Sequence, residues 1–253
     1  MKRWLFALTV PLLAGCDLDV TGINVSCDVE EDFFEAIAAG RASTVRIIAE
    51  TGDLRVEGRP GLTEIRVSGR ACAEDRRDLN EIDLVVQRAG ASIRVLGLVP
   101  SGAGINARLD LVVEVPEYMF AEIDHDAGDI DVTNVSGISI YDGSGDVLLD
   151  YIYGDVDISD ESGFLRMRDV AGDVYLADES GEIDIDRVDG GVYIDEDGSG
   201  NIVLTGIGTD VYIVEDGTGD ITVDDVLGDL TVEYDSSGRI TYRNVRGRIT
   251  VPR

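Results

Sequence analysis

The sequence has very few of the residues on which several common kinds of active site depend. Its 253 residues include one lysine, Lys2, and one histidine, His125. Zinc centres built on histidine need several imidazoles, Schiff-base chemistry needs a lysine, and a Ser-His-Asp triad needs an available histidine. The composition therefore offers little for any of these three kinds of catalysis.

Positive charge is also scarce. The chain has 21 lysines and arginines against 51 aspartates and glutamates, a net charge of −30. Residues 109–238 contain 35 of the acids, whereas residues 239–253 contain five arginines and no acid. So acidic a surface disfavours nucleic acid as a partner. A halophilic or GC-rich background is an alternative explanation of the acidity, independent of any ligand.

The N-terminus has the features of an export signal. Met1-Lys2-Arg3 is positively charged, residues 4–14 are an apolar run too short to span a bilayer, and Leu13-Ala14-Gly15-Cys16 follows. The last four residues resemble a bacterial lipobox. We therefore predict that residues 1–15 are a lipoprotein signal peptide, that Cys16 carries lipid, and that the protein is anchored to a membrane of the cell envelope. An ordinary cleaved signal peptide is the alternative.

If Cys16 is lipidated, two cysteines remain. Cys27 and Cys72 are predicted to form a disulfide that closes a 45-residue loop. Two unpaired buried thiols are the alternative. Residues 16–43 are predicted to be a polar tether with one short helix, which would include Val29, Phe33, Phe34 and Ile37.

From Gly128 onward the chain repeats about every nine residues, and pairs of repeats form a unit of about eighteen. Glycines at 128, 145, 163, 181, 200, 219 and 238 begin the first halves, and those at 137, 154, 172, 190, 208, 228 and 247 begin the second. Apolar residues alternate within each half, as in Val156/Ile158 and Val174/Leu176. A fixed short period with alternation predicts a solenoid of short strands. We predict an all-β, single-stranded parallel β-solenoid over 128–253, with about seven turns of 18–19 residues and two strands per turn.

Residues 44–127 keep the alternation but lose the period. Segments such as TVRIIA and SIRVLGL are predicted strands at irregular spacing. We expect this region to form irregular first turns or a sheet that caps the solenoid, since an open edge invites aggregation.

The repeats resemble a known family. GDIDVTNVSG, GDVYLADESG and GDITVDDVLG are similar to the repeats of the bacterial putative-adhesin domain of unknown function, a toastrack-like group. The resemblance covers roughly residues 44–253. It implies a β-solenoid envelope protein without a known catalytic site.

Two sets of outward positions are candidate binding surfaces. Tyr175, Tyr193 and Tyr212 occupy the same position on consecutive turns and are predicted to stack into a ligand face for sugar rings or an apolar patch. A solvated strand face that suits tyrosine is the alternative.

The second set consists of acids that end the second halves: Asp160, Glu161, Asp178, Glu179, Glu196, Asp197, Glu215 and Asp216. With Asp142 and Asp235 they are predicted to superimpose into an outward acidic edge. Such an edge could bind calcium or magnesium weakly, and no other cofactor is predicted. Turn formation and solubility are the alternative role.

Three functions remain open at this stage. The first is a non-catalytic, lipid-anchored envelope protein that presents an acidic surface to an envelope protein or glycan. The second is a cation-dependent binding module. The third is an enzyme acting on acidic polysaccharide, which would need carboxylates beside a basic group; bases are nearly absent from the central turns, so this is the least favoured.

Overall fold

A computed structural model describes residues 27–100 and 106–252. They form two sheets of eleven strands each and one four-residue helix, α1 (Arg76–Leu79). The first sheet has the spatial order β1 (Val29–Ala38), β4 (Glu64–Ala73), β7 (Ala107–Pro116), β3 (Leu54–Arg59), β9 (Ile130–Thr133), β11 (Val147–Ile152), β13 (Leu165–Val170), β15 (Ile183–Val188), β17 (Ile202–Ile207), β19 (Ile221–Val226) and β21 (Ile240–Val245). The second has the order β22 (Ile249–Thr250), β20 (Leu230–Ser237), β18 (Val211–Thr218), β16 (Val192–Asp197), β14 (Val174–Asp178), β12 (Val156–Asp160), β10 (Gly137–Asp142), β8 (Phe120–Ala127), β2 (Thr44–Thr51), β6 (Ser92–Leu98) and β5 (Asp83–Ala89).

The predicted parallel β-solenoid is confirmed. From β9 to β22 the chain alternates between the two sheets, and each strand pairs in parallel with the strand one turn later. Val156 aligns with Val174, and Ile158 with Leu176, as the sequence period requires. About seven regular turns result, with rungs about 19 residues apart.

The core is a column of apolar side chains between the sheets. Alternate residues of each strand point inward, and those of the central turns, such as Ile183, Ile185 and Val192, are completely buried. One turn contributes few such residues, so burial depends on stacking against its neighbours. The stability of the solenoid therefore comes from the stacking of many turns and not from any single turn.

The repeating glycines are required where successive turns come closest. The first-series glycines have φ between 125° and 159°. A Cβ at any of them would lie 1.5–2.4 Å from a carbonyl oxygen of the adjacent turn. Only glycine fits this column, which explains the most regular feature of the sequence.

The opposite corner has a left-handed backbone on every regular turn. We call the residues at this position the left-handed corner: Asn134, Tyr151, Asp169, Arg187, Gly206, Asp225 and Asn244, all with φ between 54° and 71°. Asparagine, aspartate and glycine tolerate this conformation best. Tyr151 and Arg187 adopt it because the hydrogen bonds of the stacked turns hold the backbone.

The N-terminal end combines irregular turns with a cap, the two arrangements predicted for residues 44–127. Strands β2, β3, β6, β7 and β8 extend the parallel sheets, and β1, β4 and β5 add antiparallel strands outside them. The strands are not stacked in chain order. The β2–β3 pair lies between β6–β7 on one side and β8–β9 on the other.

The predicted helix near residue 33 is wrong. Residues 29–38 form β1, which pairs antiparallel with β4. Val29, Phe33 and Ile37 are four residues apart, a spacing that fits a helix but is also even, so in a strand all three face the core. The folded body therefore starts inside the segment predicted to be a tether.

Candidate functional site

The predicted lipid-attachment residue, Cys16, lies outside the described residues. Cys27 and Cys72 form a disulfide with Cα atoms 5.2 Å apart, which connects the segment just before β1 to β4. Across residues 27–100 and 106–252, no helix is long and apolar enough to cross a membrane.

A column of stacked aspartates runs along the corner where the acidic edge was predicted. One aspartate per turn occupies the same register position. We call this column the aspartate ladder: Asp142, Asp160, Asp178, Asp197, Asp216 and Asp235. The first five are only 0–2% exposed. The aspartates therefore line the interior of the solenoid.

His125, the only histidine, ends the aspartate ladder. It aligns with Asp142 on β10 and is fully buried. Its Nδ1 is 2.8 Å from an Asp142 carboxyl oxygen, and its Nε2 is 2.8 Å from the carbonyl oxygen of Gly52. Burial alone would lower the pKa of His125, but these two hydrogen bonds and the charge of Asp142 raise it above its ordinary value.

Burial makes four of the ladder aspartates weaker acids than usual. Burial, together with the charges of Asp142 and Asp178, raises the pKa of Asp160 to about 7. Burial also raises the pKa of Asp178 to about 6, although its carboxylate accepts a hydrogen bond from the Ser180 N–H. Burial also raises the pKa values of Asp197 and Asp216, and the negative charge of neighbouring ladder carboxylates raises them further.

Several ladder oxygens have no hydrogen-bond partner within the described part of the chain. These are Oδ2 of Asp142, Asp160 and Asp178, both carboxyl oxygens of Asp197 and Asp216, and Oδ1 of Asp235. A buried carboxylate without a partner is costly, whereas a protonated carboxyl can donate to the next one along the column. The four middle carboxyls, those of Asp160, Asp178, Asp197 and Asp216, are thus suited to holding protons near neutral pH.

The expectation that all these acids share one outward edge is wrong. Asp160, Asp178, Asp197 and Asp216 are buried, whereas Glu161, Glu179, Glu196 and Glu215 are exposed. Adjacent residues of a strand face opposite sides, so one pair cannot direct both carboxylates to an ion in solvent. A register shift after Leu176 also places Glu196 before its aspartate, although Glu161 and Glu179 follow theirs.

Alternation could have located the buried aspartates. Val156, Ile158 and Asp160 are two residues apart, so Asp160 continues the buried face of β12. The described residues contain no group of three or more His, Cys, Asp or Glu side chains arranged to hold a metal ion. Cation binding by the predicted residues stays a prediction.

The tyrosine row lies where the sequence places it. Tyr175, Tyr193 and Tyr212 align on β14, β16 and β18. The rings of Tyr175 and Tyr193 are stacked, with centroids 5.2 Å apart and an interplanar angle of 13°. They line a shallow groove of about 450 Å³ with Asp157 and Asp195. Because the two rings cover each other, much of their face area is unavailable to a ligand.

A larger groove, which sequence reasoning missed, follows the left-handed corner. This corner groove has a volume of about 580 Å³. Tyr151 and Tyr153, both 54% exposed, line one end, and Leu227 lines the other. Small residues between them leave the space open: Ala171, Gly206 and Gly208.

Charged groups surround the middle of the corner groove. Arg187 makes a two-pronged pair with Asp169, with Nε–Oδ1 and Nη2–Oδ2 distances of 2.7 and 2.9 Å. Asp189 and Asp225 also line the groove. The site thus combines exposed aromatic rings with carboxylates that accept hydrogen bonds and one guanidinium that donates them. The repeat period predicts that these residues align on successive turns, but it does not show that a groove forms between their side chains.

Comparison with known proteins supports the fold. No protein-family model matches the chain, and no curated protein matches it in sequence. A putative adhesin from Bacteroides fragilis is 13% identical, with a TM-score of 0.51, and the match covers 87% of this chain and 96% of that one. A putative cell adhesion protein from Clostridium sporogenes is 12% identical, with a TM-score of 0.37, covering 85% of this chain and 99% of the other. The predicted resemblance to this β-solenoid group is confirmed for the fold.

Proposed function

We propose that the protein is a non-catalytic adhesion module, anchored to the cell envelope through lipid on Cys16, that binds a neutral glycan in the corner groove. The carrying observation is the pair Tyr151 and Tyr153, two half-exposed rings that line an open groove. Aromatic side chains supply a large contact area at low entropic cost.

The charges around the groove favour a neutral glycan over an acidic one. Hydroxyl groups of a sugar can donate hydrogen bonds to Asp189 and Asp225, and they can accept them from Arg187. The chain's net charge of −30 would repel a polyanion.

The buried position of His125 supports a non-catalytic role. Both ring nitrogens contact protein groups, and the residue is completely buried. It cannot serve as a general base for a substrate on the outer surface, because such a base must come within hydrogen-bond reach of the substrate.

Binding to a panel of neutral and uronic-acid polysaccharides tests the proposal. The protein would be the mature chain with Cys16→Ser, so that it carries no lipid. We expect Tyr151→Ala/Tyr153→Ala to weaken neutral-glycan binding by roughly tenfold or more. Tyr118→Ala removes an equally exposed tyrosine outside the groove and serves as the control.

The same panel separates the alternatives. Undiminished binding by the Tyr151/Tyr153 double variant would move the site elsewhere, and Tyr175→Ala/Tyr193→Ala would then test the tyrosine row. Turnover of any polysaccharide would overturn the non-catalytic role. Binding lost on chelation of calcium would favour the cation-dependent alternative.

The lipid anchor has a separate test. Mass spectrometry of the N-terminal peptide should find Cys16 acylated, and Cys16→Ser should release the protein from the membrane fraction. An N-terminal peptide that starts elsewhere and carries no lipid would contradict the anchor.

A further inference from the structure

The C-terminal end of the solenoid exposes residues that are buried on every central turn. Tyr242 and Ile249 occupy inward positions of the last turn, yet they are 42% and 38% exposed. Their counterparts one turn earlier, Val223 and Leu230, are fully buried. Within the described residues, β21 and β22 each have a neighbour on one side only. This end therefore presents apolar side chains and a row of unpaired backbone groups.

The same end is basic. Residues 239–253 contain five arginines and no acid, in a chain of net charge −30. Arg243 makes an ion pair of 2.8 Å with Asp224 on the preceding turn. Arg246 and Arg248 are exposed in the connection between β21 and β22.

The opposite end of the first sheet is acidic and carries a complementary edge strand. β1 contains four acids and no base: Glu30, Glu31, Asp32 and Glu35. Its outer side has no neighbouring strand among the described residues. Phe34, which is 67% exposed, adds an apolar side chain to this edge.

Strand direction permits the two edges to pair. β1 is antiparallel to β4, and β4 is antiparallel to β7, so β1 runs in the same direction as β7. β7 is parallel to β3, β3 to β9, and the series continues in parallel to β21. A second molecule translated along the solenoid axis would therefore place its β1 parallel to β21 and continue the first sheet.

Two acids on β1 limit which strands can pair with this edge. By strand alternation, Glu31 and Glu35 lie on the same face as Val29, Phe33 and Ile37, which pack against the core. Inward-pointing charges on an edge strand discourage indiscriminate pairing. Strands with acidic or apolar edges would be excluded, whereas an arginine-rich end can neutralise these charges.

We propose that the protein associates head to tail with a second copy of itself, β21 of one molecule pairing in parallel with β1 of the next. The contact joins two different surfaces and relates the molecules by translation along the solenoid axis, so it does not close and can be repeated in the same direction. It combines strand addition at a sheet edge with attraction between a basic and an acidic end.

Sedimentation velocity over a concentration series tests this association. The unlipidated full mature chain, with Cys16→Ser, should form a ladder of increasingly long species in about 0.01 M salt. The species should return to monomer in about 1 M salt, at which the Debye length is about 3 Å. A monomer at every concentration in low salt would overturn the proposal.

Charge reversal identifies the two surfaces. Glu31→Arg/Glu35→Arg should abolish self-association, and so should Arg246→Glu/Arg248→Glu. Circular dichroism and thermal melting would verify that both variants are folded. Mixed together, the two variants should associate again into long alternating species, because every junction then joins a basic end to an acidic one. Unmodified β21 meets unmodified β1, and the reversed C-terminal end meets the reversed β1. Association that survives the β1 reversal, or a mixture that stays monomeric, would overturn the head-to-tail arrangement.

Discussion

Replacing one rung of the aspartate ladder by its neutral isostere should change the pH dependence of stability. Asp160→Asn keeps the shape of a protonated aspartate, and its amide oxygen can still accept the hydrogen bond from the Ser162 N–H. Its amide N–H groups can donate to the carboxyls of Asp142 or Asp178 on the adjacent turns. The side chain at position 160 is therefore uncharged at every pH in the variant, and the packing of the corner is kept.

The magnitude follows from the pKa of Asp160, which burial and neighbouring charges raise from 3.8 to about 7. The folded protein therefore binds more protons than the unfolded chain between about pH 4 and pH 7, and stability falls as pH rises through this range. At about 1.4 kcal/mol for each tenfold change, Asp160 alone accounts for a loss of roughly 4 kcal/mol by about pH 8.

Thermal unfolding at about pH 4.5 and about pH 8 measures the effect. For a domain of this size, 1 kcal/mol corresponds to roughly 2–4 °C. Asp160→Asn should melt on the order of 10 °C above the unmodified protein at about pH 8, and close to it at about pH 4.5. Glu179→Gln, which removes one exposed charge a turn away, should change the melting temperature little at either pH.

The reasoning would be refuted by an Asp160→Asn variant whose melting temperature falls with pH as steeply as that of the unmodified protein. Equal destabilisation at both pH values would likewise show that Asp160 is ionised and well stabilised in the folded state.

Three further predictions concern single positions. Gly200→Ala forces a methyl group against a carbonyl oxygen of the preceding turn, so it should lower the free energy of unfolding, measured in urea, by several kcal/mol. Gly206→Asn, at an open left-handed position, should leave that free energy nearly unchanged. Reduction of Cys27–Cys72 should lower the free energy of unfolding by about 4 kcal/mol, the chain-entropy value for a 45-residue loop, which melting with and without reductant measures. Since His125 is the only histidine, its imidazole can be followed directly by NMR; we expect a titration midpoint above 6.5, and a lower value would contradict its charge-stabilising contacts.

The regular turns could be predicted from sequence because one local rule repeats. Val156 and Ile158 alternate inward, and the same pair recurs a fixed number of residues later, so period and burial agree. The inward position of the aspartates was not predicted, because a charged residue is expected at the surface, whereas strand alternation places these residues inside. Asp160 has the position of a core residue, and its proton and its hydrogen bond to the turn make burial acceptable.

The N-terminal end and the corner groove depend on longer-range geometry. The spacing of Val29, Phe33 and Ile37 fits both a helix and a strand, and pairing with a segment 28 to 44 residues away decides between them. The corner groove forms from side chains on several turns, and its shape depends on their sizes and conformations. Neither feature is encoded in a short stretch of sequence.

The stacking order at the N-terminal end has a consequence for how the protein is assembled. β2 and β3 each lie between two strands that come later in the chain. β2 lies between β6 and β8, β3 lies between β7 and β9, and β9 ends at residue 133. A chain that crosses a membrane N-terminus first therefore keeps two strands with unsatisfied edges until more than half of its length has emerged. The downstream turns, in contrast, each add to a neighbour that is already present, and such local closure is fast. The end of the molecule that is synthesised first is thus expected to wait longest for its hydrogen-bond partners.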